Sequence, residues 1–409
     1  MRTVEEHQRV VADLIQAAAA APVGLSDSLG LALAADVTAP LSLPVFDNSG
    51  MDGYAVRAQD VAAANIDYPV KLFVAEDIPA GRTDPLILAP GTAHRIMTGA
   101  PVPSGADSIV PVEQTLGSGE AGRPGEDVEI RMAPRSGQHI RKAGEDVATG
   151  DTVLLAGQVV TPAALGLAAA LGLASLTVVP RQRVLVVSTG SELVAAGTAL
   201  APGQIYESNA IMLAAAVREA GADVVATVTT SDDVDQFRAA IETYADRADL
   251  IITSGGVSAG AYEVVKDAFG DGAVEFAKVA MQPGMPQGAG RVGIGTISTV
   301  PIITLPGNPV SALVSFEVFI RPALRAAMGL PDPHRPRCTA ALAEDLTSPR
   351  GKRQFRRGVL DPTSGTVTSY GPPASHHLRW LASANCLLEI PEDVTALSAG
   401  QEVAVWDLS

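Results

Sequence analysis

Arg183–Gly190 reads RVLVVSTG and Asp249–Gly256 reads DLIITSGG: two unbroken apolar runs, each ending in hydroxyl residues and glycine. Between them lie SNAIMLAAAVREAGA (Ser208–Ala222), DVVATVTTSD (Asp223–Asp232) and DVDQFRAAIETYADRA (Asp233–Ala248). Further on, PIITLPG (Pro301–Gly307) leads into NPVSALVSFEVFIRPAL (Asn308–Leu324). Strands too continuously apolar for a half-exposed sheet, alternating with amphipathic helices, predict a parallel α/β sheet with right-handed crossovers from about Arg181 to Leu330.

On either side the text changes. From about Leu41 to Gly157 it is rich in Gly and Pro with short β-like runs such as YPVKLFVAE (Tyr68–Glu76), GTAHRIMTGA (Gly91–Ala100), DSIVPVE (Asp107–Glu113) and EDVEIRM (Glu126–Met132). These predict small β modules joined by ordered turns, with Gly117–Asp127 as a hairpin tip. From about Pro331 to Ser409, RCTAALAE, RQFRRGVL, TVTSY, NCLLEI and QEVAVWDL predict a second all-β module. The N-terminus, MRTVEEHQRVVADLIQ, carries Val4, Val10, Val11, Leu14 and Ile15 at helical spacing and reads as a surface helix, unlike a signal peptide. In the uncharged run Thr152–Pro180, Thr161-Pro162 opens a helix and Gly172 lies near its end. About 12 helical residues span about 18 Å, too short for a bilayer.

The 409 residues suggest three or four domains. A net charge of −16 argues against general binding to nucleic acid or anionic lipid, so an anionic ligand needs a local pocket. Two cysteines, Cys338 and Cys386, without C-x-x-C spacing suit a reducing cytoplasm and give no zinc signature. His376 and His377, adjacent, read as surface histidines on opposite sides of a strand.

In a parallel α/β sheet, ligands bind beyond the carboxyl ends of the strands. Those ends carry Ser188-Thr189-Gly190-Ser191-Glu192, Thr229–Asp233, Thr253-Ser254-Gly255-Gly256-Val257-Ser258 and Leu305-Pro306-Gly307-Asn308-Pro309. Small hydroxyl residues and glycines leave backbone N–H groups approachable, which favours phosphate or another oxyanion. Glu192 and Asp232 are a carboxylate pair suited to Mg²⁺. The same residues also read as turn and cap residues, with Asn308 and Asp232 capping the helices that follow them and Pro309 in a first turn. PVFDNSGMDGYAVR (Pro44–Arg57) is by spacing a tight double turn.

These segments together resemble the MoeA family, which includes the gephyrin E domain. The resemblance is carried in order by FDNSGMDGYAVR, RIMTGAPVPSGADSIVPVE, IRKAGEDV, STGSELV, GQIYESN, TSGGVSAG and LPGNPVSALVSFE. It implies an elongated homodimer whose subunit has an N-terminal helix and linking domain (1–44 and 139–180), a β-rich lid domain (45–138), a central three-layer, MogA-like α/β domain (181–330) and a C-terminal β-barrel (331–409). It also implies cytoplasmic molybdenum cofactor biosynthesis: insertion of molybdate into adenylylated molybdopterin, with Mg²⁺ and release of AMP, at a site on the subunit interface. By the same resemblance Asp52, Thr98, Glu192, Asp232 and Glu263 are catalytic, with Glu192 and Asp232 also on the metal. Ser188, Thr189, Gly190, Ser254, Gly255, Gly256, Ser258, Lys266, Pro306, Gly307, Asn308 and Pro309 bind the cofactor, and Arg357 and Gln282 meet the anion.

The chain departs from the family pattern in places. VAMQPGMPQG (Val279–Gly288) has Gln282 and Met285 where the family has lysines, Ala261 stands in place of a glutamate, and Arg379-Trp380 replace a serine pair. Losing two charge-assisted bonds predicts molybdate binding weakened by roughly 3–6 kcal/mol. Arg350, Lys352, Arg353, Arg356 and Arg357 form a compensating basic cluster or else a solvated strand face. One alternative is a gephyrin-like dimeric scaffold that binds a short hydrophobic peptide through Arg379-Trp380 and links a membrane receptor tail to a cytoskeletal partner such as an FtsZ-type protein. Another is a nucleotide-binding α/β protein without molybdenum chemistry.

Overall fold

The computed structural model describes residues 1–116, 122–255, 263–269, 272–294 and 297–409. They fall into two compact units, 1–34 with 157–161 and 177–409, and 35–156 with 162–176.

The first unit is built on a six-stranded sheet. Its strands are β1 (Arg183–Thr189), β2 (Asp223–Thr230), β3 (Leu250–Ser254), β4 (Val274–Lys278), β6 (Pro286–Ile294) and β7 (Ile297–Leu305), in the order β2-β1-β3-β7-β6-β4. The short β5 (Met281–Gln282) lies outside this sheet. Strands β2, β1, β3 and β7 run parallel, and β6 and β4 add an antiparallel arm. The wholly parallel sheet expected from sequence is therefore a mixed one. The arm escaped notice because PQGAGRVGI is broken by glycines and lacks the apolar run that marks its neighbours.

Helices α2 (Asn209–Glu219), α3 (Val234–Glu242), α4 (Glu263–Phe269), α5 (Pro309–Ser315) and α6 (Arg321–Ala327) follow the strands, and α5 and α6 are joined by a π-turn at Phe316–Ile320. Val184 and Val186 pack with Leu213, Val217, Val310 and Val314, whereas Leu185 and Val187 pack with Phe237, Ile241 and Val265. Both sides of β1 are thus buried, which accounts for its unbroken apolar text.

The C-terminal strands are β8 (Arg337–Leu342), β9 (Arg353–Asp361), β10 (Thr366–Ser369), β11 (Cys386–Ile390) and β12 (Glu402–Asp407). They close into a barrel in the order β9-β10-β8-β12-β11, with β11 returning to β9. The two-residue β5 pairs in parallel with β9, Met281 opposite Arg353 and Gln282 opposite Gln354, and so joins the α/β part to the barrel. His376 and His377 precede the short helix α7 (Leu378–Ala382) rather than lying in a strand, and their rings meet edge-on at 4.3 Å.

The N-terminal helix α1 (Val4–Leu14) starts with a capping box between Thr3 and Glu6. It is less of a surface helix than its sequence implies: Val4, Val11 and His7 are fully buried, and the His7 ring packs edge-on against Phe319.

The second unit holds a six-stranded sheet of the strands Ser108–Pro111, Gly53–Val56, Thr92–Ile96, Val70–Ile78, Asp127–Ile130 and Thr115–Leu116, in that spatial order. Its helix Pro162–Ala170 has nine residues rather than about 12. Among the described residues no helix is long and apolar enough to cross a membrane.

Burial, reinforced by the neighbouring Arg2 charge and opposed by Glu275, pushes the His7 imidazole down to about 4. Its unfolded value is near 6.5, so between pH 6.5 and 4 only the unfolded chain takes up the proton. His7 stabilises the fold fully above pH 6.5, and that contribution, up to about 3 kcal/mol, is lost as the pH falls to 4. Chemical denaturation at stepped pH is expected to show a shallower loss over this range for His7→Met than for the unsubstituted protein. Parallel profiles would refute the assignment.

Candidate functional site: a cleft at the strand ends and an adjoining cavity

All four predicted strand-end loops contribute to one cleft of about 430 Å³ in the first unit. Ser188, Thr189, Gly190 and Glu192 line it after β1, Asp232 after β2, Ser254 and Gly255 after β3, and Gly307, Asn308 and Pro309 after β7. Gly255 has φ +97°, and a Cβ there would lie 2.4 Å from the Thr189 carbonyl oxygen, so only glycine lets the two strand ends approach this closely.

Asp232 does not cap a helix, as one reading of the sequence had it. Asp233 caps α3, accepting from the Gln236 amide, while Asp232 Oδ2 accepts from the Ser191 amide and hydroxyl, each at 3.2 Å. This ties the β1 and β2 loops together and holds Asp232 at the cleft. Glu192 and Asp232 are exposed there and form no ion pair among the described residues. Two carboxylates at a cleft with backbone donors suit a hard cation whose other ligands are water and phosphate oxygens. Among the described residues no cluster of three or more His, Cys, Asp or Glu offers a closed metal cage.

Two lining residues were not singled out from the sequence. Glu207 is buried, and its Oε1 accepts from the Ser188 hydroxyl at 2.8 Å and the Ala210 amide at 2.6 Å. Asn209 Nδ2 donates to Ser254 Oγ at 2.8 Å and the Gly307 carbonyl at 2.6 Å, joining the β3 and β7 loops. Both stand in GQIYESN, one of the segments that carry the family resemblance, but by spacing the Glu-Ser-Asn triplet ahead of an apolar helix reads as an ordinary helix start.

Asn308 also lines a second cavity of about 370 Å³, bounded by the loop Met281–Pro286, Pro306, Ser311, Lys352 and Ala374–His376. The loop's shape is fixed from within. Gly284 has φ +93°, and a Cβ there would meet Ser315 Oγ at 2.7 Å. The buried Gln287 donates to the Gly284 carbonyl at 2.6 Å and to Ser315 Oγ at 2.7 Å, and the Val279 amide donates to the Met285 carbonyl at 2.7 Å.

The basic cluster does not act as one patch. Arg353 pairs with Glu5, Glu389 and Glu392, and Arg356 donates to the Thr347 carbonyl. Arg357 is buried and donates to the carbonyls of His377 and Pro372. Burial, with the Arg356 charge beside it, lowers the affinity of the Arg357 guanidinium for its proton. Arg357 and Gln282 share one narrow pocket. The Trp380 ring packs edge-on against Tyr370 at 4.9 Å, with the Arg379 guanidinium 5.2 Å from its centre.

Of the remaining expected site residues, Gly256, Ser258 and Ala261 lie outside the described residues. Glu263 and Lys266 lie on α4, with their side chains outside that description. Asp52 and Thr98 belong to the second unit. There Asp52 Oδ1 accepts from both the Thr98 hydroxyl and the Thr98 amide at 2.6 Å, and these two bonds hold its carboxyl below the usual range.

Comparison with known proteins covers the chain almost from end to end. Residues 2–172 match the MoeA N-terminal region (domains I and II), 185–326 a probable molybdopterin binding domain, and 339–408 the MoeA C-terminal region (domain IV). The sequence is 68% identical to molybdopterin molybdenumtransferase 2 of Mycobacterium tuberculosis strain H37Rv over 100% of both chains. It is 35% identical to molybdopterin molybdenumtransferase of Bacillus subtilis strain 168, over 94% of this chain and 88% of that one. A solved structure of a molybdopterin biosynthesis MoeA protein from Pyrococcus horikosii superimposes with a TM-score of 0.78 at 28% identity, covering 100% of this chain and 99% of that one. With its strand-end loops gathered at one cleft and its sequence matched across all three regions, the chain belongs to the MoeA family.

Proposed function

We propose that this protein is a molybdopterin molybdenumtransferase, inserting molybdate into adenylylated molybdopterin and releasing AMP in the cytoplasm. The observation that carries the reading is the pairing of two unlike cavities that share Asn308. One holds Glu192, Asp232 and four strand-end loops; the other is lined by neutral donors and Lys352. The relatives' names agree with it.

In the first cavity, Thr189 and Ser254 offer hydroxyls and Gly307 and Asn308 backbone amides to the pterin and phosphate groups, while Ser188 and Gly255, whose donors are taken by Glu207 and Leu305, shape the walls with Gly190 and Pro309. Glu192 and Asp232 would hold Mg²⁺, which would supply positive charge against the substrate's phosphate oxygens. Gln282 faces the molybdate side, and Pro306, expected on the cofactor, lines that cavity rather than the first. Glu263, Lys266, Gly256 and Ser258 complete the family's set.

The homodimer, with a site at the subunit interface, belongs to the same proposal. So do the division into linking, lid, α/β and barrel domains, the three-layer form of the α/β domain, and a role for Asp52 and Thr98 reaching in from the partner subunit. The scaffold alternative is not carried forward. The relatives are named as transferases, and of the pair it relied on, Trp380 packs against Tyr370 and Arg379 lies over the Trp380 ring. A bare nucleotide-binding module does not account for the matched regions on both sides of the α/β domain.

Glu192→Gln and Asp232→Asn are each expected to lower turnover by about a hundred-fold or more, with the loss partly recovered at high Mg²⁺. Purified full-length protein assayed with adenylylated molybdopterin and molybdate tests this, and either variant at unsubstituted kcat/KM would overturn the metal assignment. Replacing Thr98 by Val removes the hydroxyl bond to Asp52 and leaves the amide. The Asp52 carboxyl is then expected to titrate higher, towards its ordinary 3.8, in carboxyl-detected NMR. An unmoved titration would show that the hydroxyl contributes nothing.

A further inference from the structure

In a chain of net charge −16, the cavity walled by Met281–Pro286 contains no carboxylate among its described lining residues. The neighbouring cleft, by contrast, contains Glu192, Glu207 and Asp232. Of the five basic residues clustered in sequence around β9, only Lys352 combines a place on this cavity with freedom from carboxylates. Arg353 is held by three glutamates, and Arg356 and Arg357 are turned to backbone carbonyls. Lys352 is half-buried and makes no ion pair or side-chain hydrogen bond among the described residues.

The other polar side chains on the cavity, Gln282, Asn308, Ser311, Ser375 and His376, carry no negative charge and can donate. Gln354 Nε2 donates to Gln282 Oε1 at 2.9 Å, which leaves the amide nitrogen of Gln282 to donate elsewhere. Asn308 precedes α5 without spending its side chain on a cap bond, and Ser311 is a buried hydroxyl. A lysine ammonium with no carboxylate beside it keeps its three donors for an incoming anion.

We propose that Lys352 is the specificity-determining cation of this cavity, holding a tetrahedral oxyanion of the molybdate class against the neutral donors Gln282, Asn308 and Ser311. The inference rests on the transferase reading and deepens it. It places the counter-charge for molybdate on the barrel strand side of the cavity, where the loop itself carries only Gln282 and Met285. Because Asn308 belongs to both cavities, an anion held there adjoins the cleft that takes the nucleotide-bearing substrate.

The test uses full-length protein in four forms: unsubstituted, Lys352→Gln, Lys352→Arg, and Lys352→Gln combined with Met285→Lys. The KM for molybdate is expected to rise about ten- to a hundred-fold in Lys352→Gln, with the KM for adenylylated molybdopterin unchanged. Lys352→Arg, and a lysine placed at the facing position 285, are expected to recover most of the loss. An unchanged molybdate KM in Lys352→Gln overturns the proposal, as does an equal rise in both KM values, which marks a structural role. Calorimetric titration with molybdate alone separates this inference from the function it rests on. Binding that weakens in Lys352→Gln, in a protein that turns over no substrate, supports Lys352 while refuting the transferase. Binding of equal strength in both, or no binding to the unsubstituted protein, refutes Lys352.

Discussion

The geometry of the anion cavity depends on one short pairing, Met281–Gln282 beside Arg353–Gln354. The Arg353 amide donates to the Ala280 carbonyl at 2.9 Å, and the Gln354 side chain reinforces the join through Gln282. On its other edge Gln354 lies opposite Ile390, so β9 is at once a wall of the closed barrel and an anchor for a loop of the α/β part. The loop is held from the opposite direction too, where the Ala280 amide donates to the Arg2 carbonyl. Ordering backbone costs about 1–2 kcal/mol per residue, and a two-residue strand cannot offset that alone. What offsets it is the cluster in which Met281, Phe355, Trp406 and Leu387 are buried with Val4 and Phe319, including an edge-on contact of Phe355 and Trp406 at 5.3 Å.

That arrangement sorts the charges. Arg353 is drawn into pairs with Glu5, Glu389 and Glu392, which come from α1 and from the barrel. Partly buried ion pairs of this kind add little net stability. They decide instead which cations are left over. With Arg353 neutralised and Arg357 committed to carbonyls, one side of Asn308 faces carboxylates and the other faces donors. A substrate carrying phosphates needs a divalent cation on the first side, whereas a free dianion needs none on the second.

The alternation of apolar strands and helices was legible because β1 and β3 are buried on both sides, which forces an unbroken apolar text. The antiparallel arm was not, since glycines replace the alternation that would betray β6. Strand-end loops could be read as a site from topology alone. Which aspartate caps α3 could not, because Asp232 and Asp233 are equally good caps in sequence and the decision falls to Ser191 on another loop. The basic cluster misled for a related reason: the partners of Arg353 lie at positions 5, 389 and 392, far from it in the chain. Glu207 and Asn209 were hidden likewise, because their meaning lies in bonds to Ser188, Ser254 and Gly307.

Shape and charge are set by different residues in the loop Val279–Gly288. Its course follows from the positive φ of Gly284, the two bonds from Gln287 and the β5 pairing, none of which needs a particular side chain at 285. Position 282 enters only through an amide that Gln354 can reach. A cation can therefore be lost from this loop without disturbing its backbone, provided another element facing the cavity supplies one. The strand β9 and the residue before it are placed to do so, because β5 pairs with that same strand. The pairing that fixes the loop also brings Lys352 to its edge.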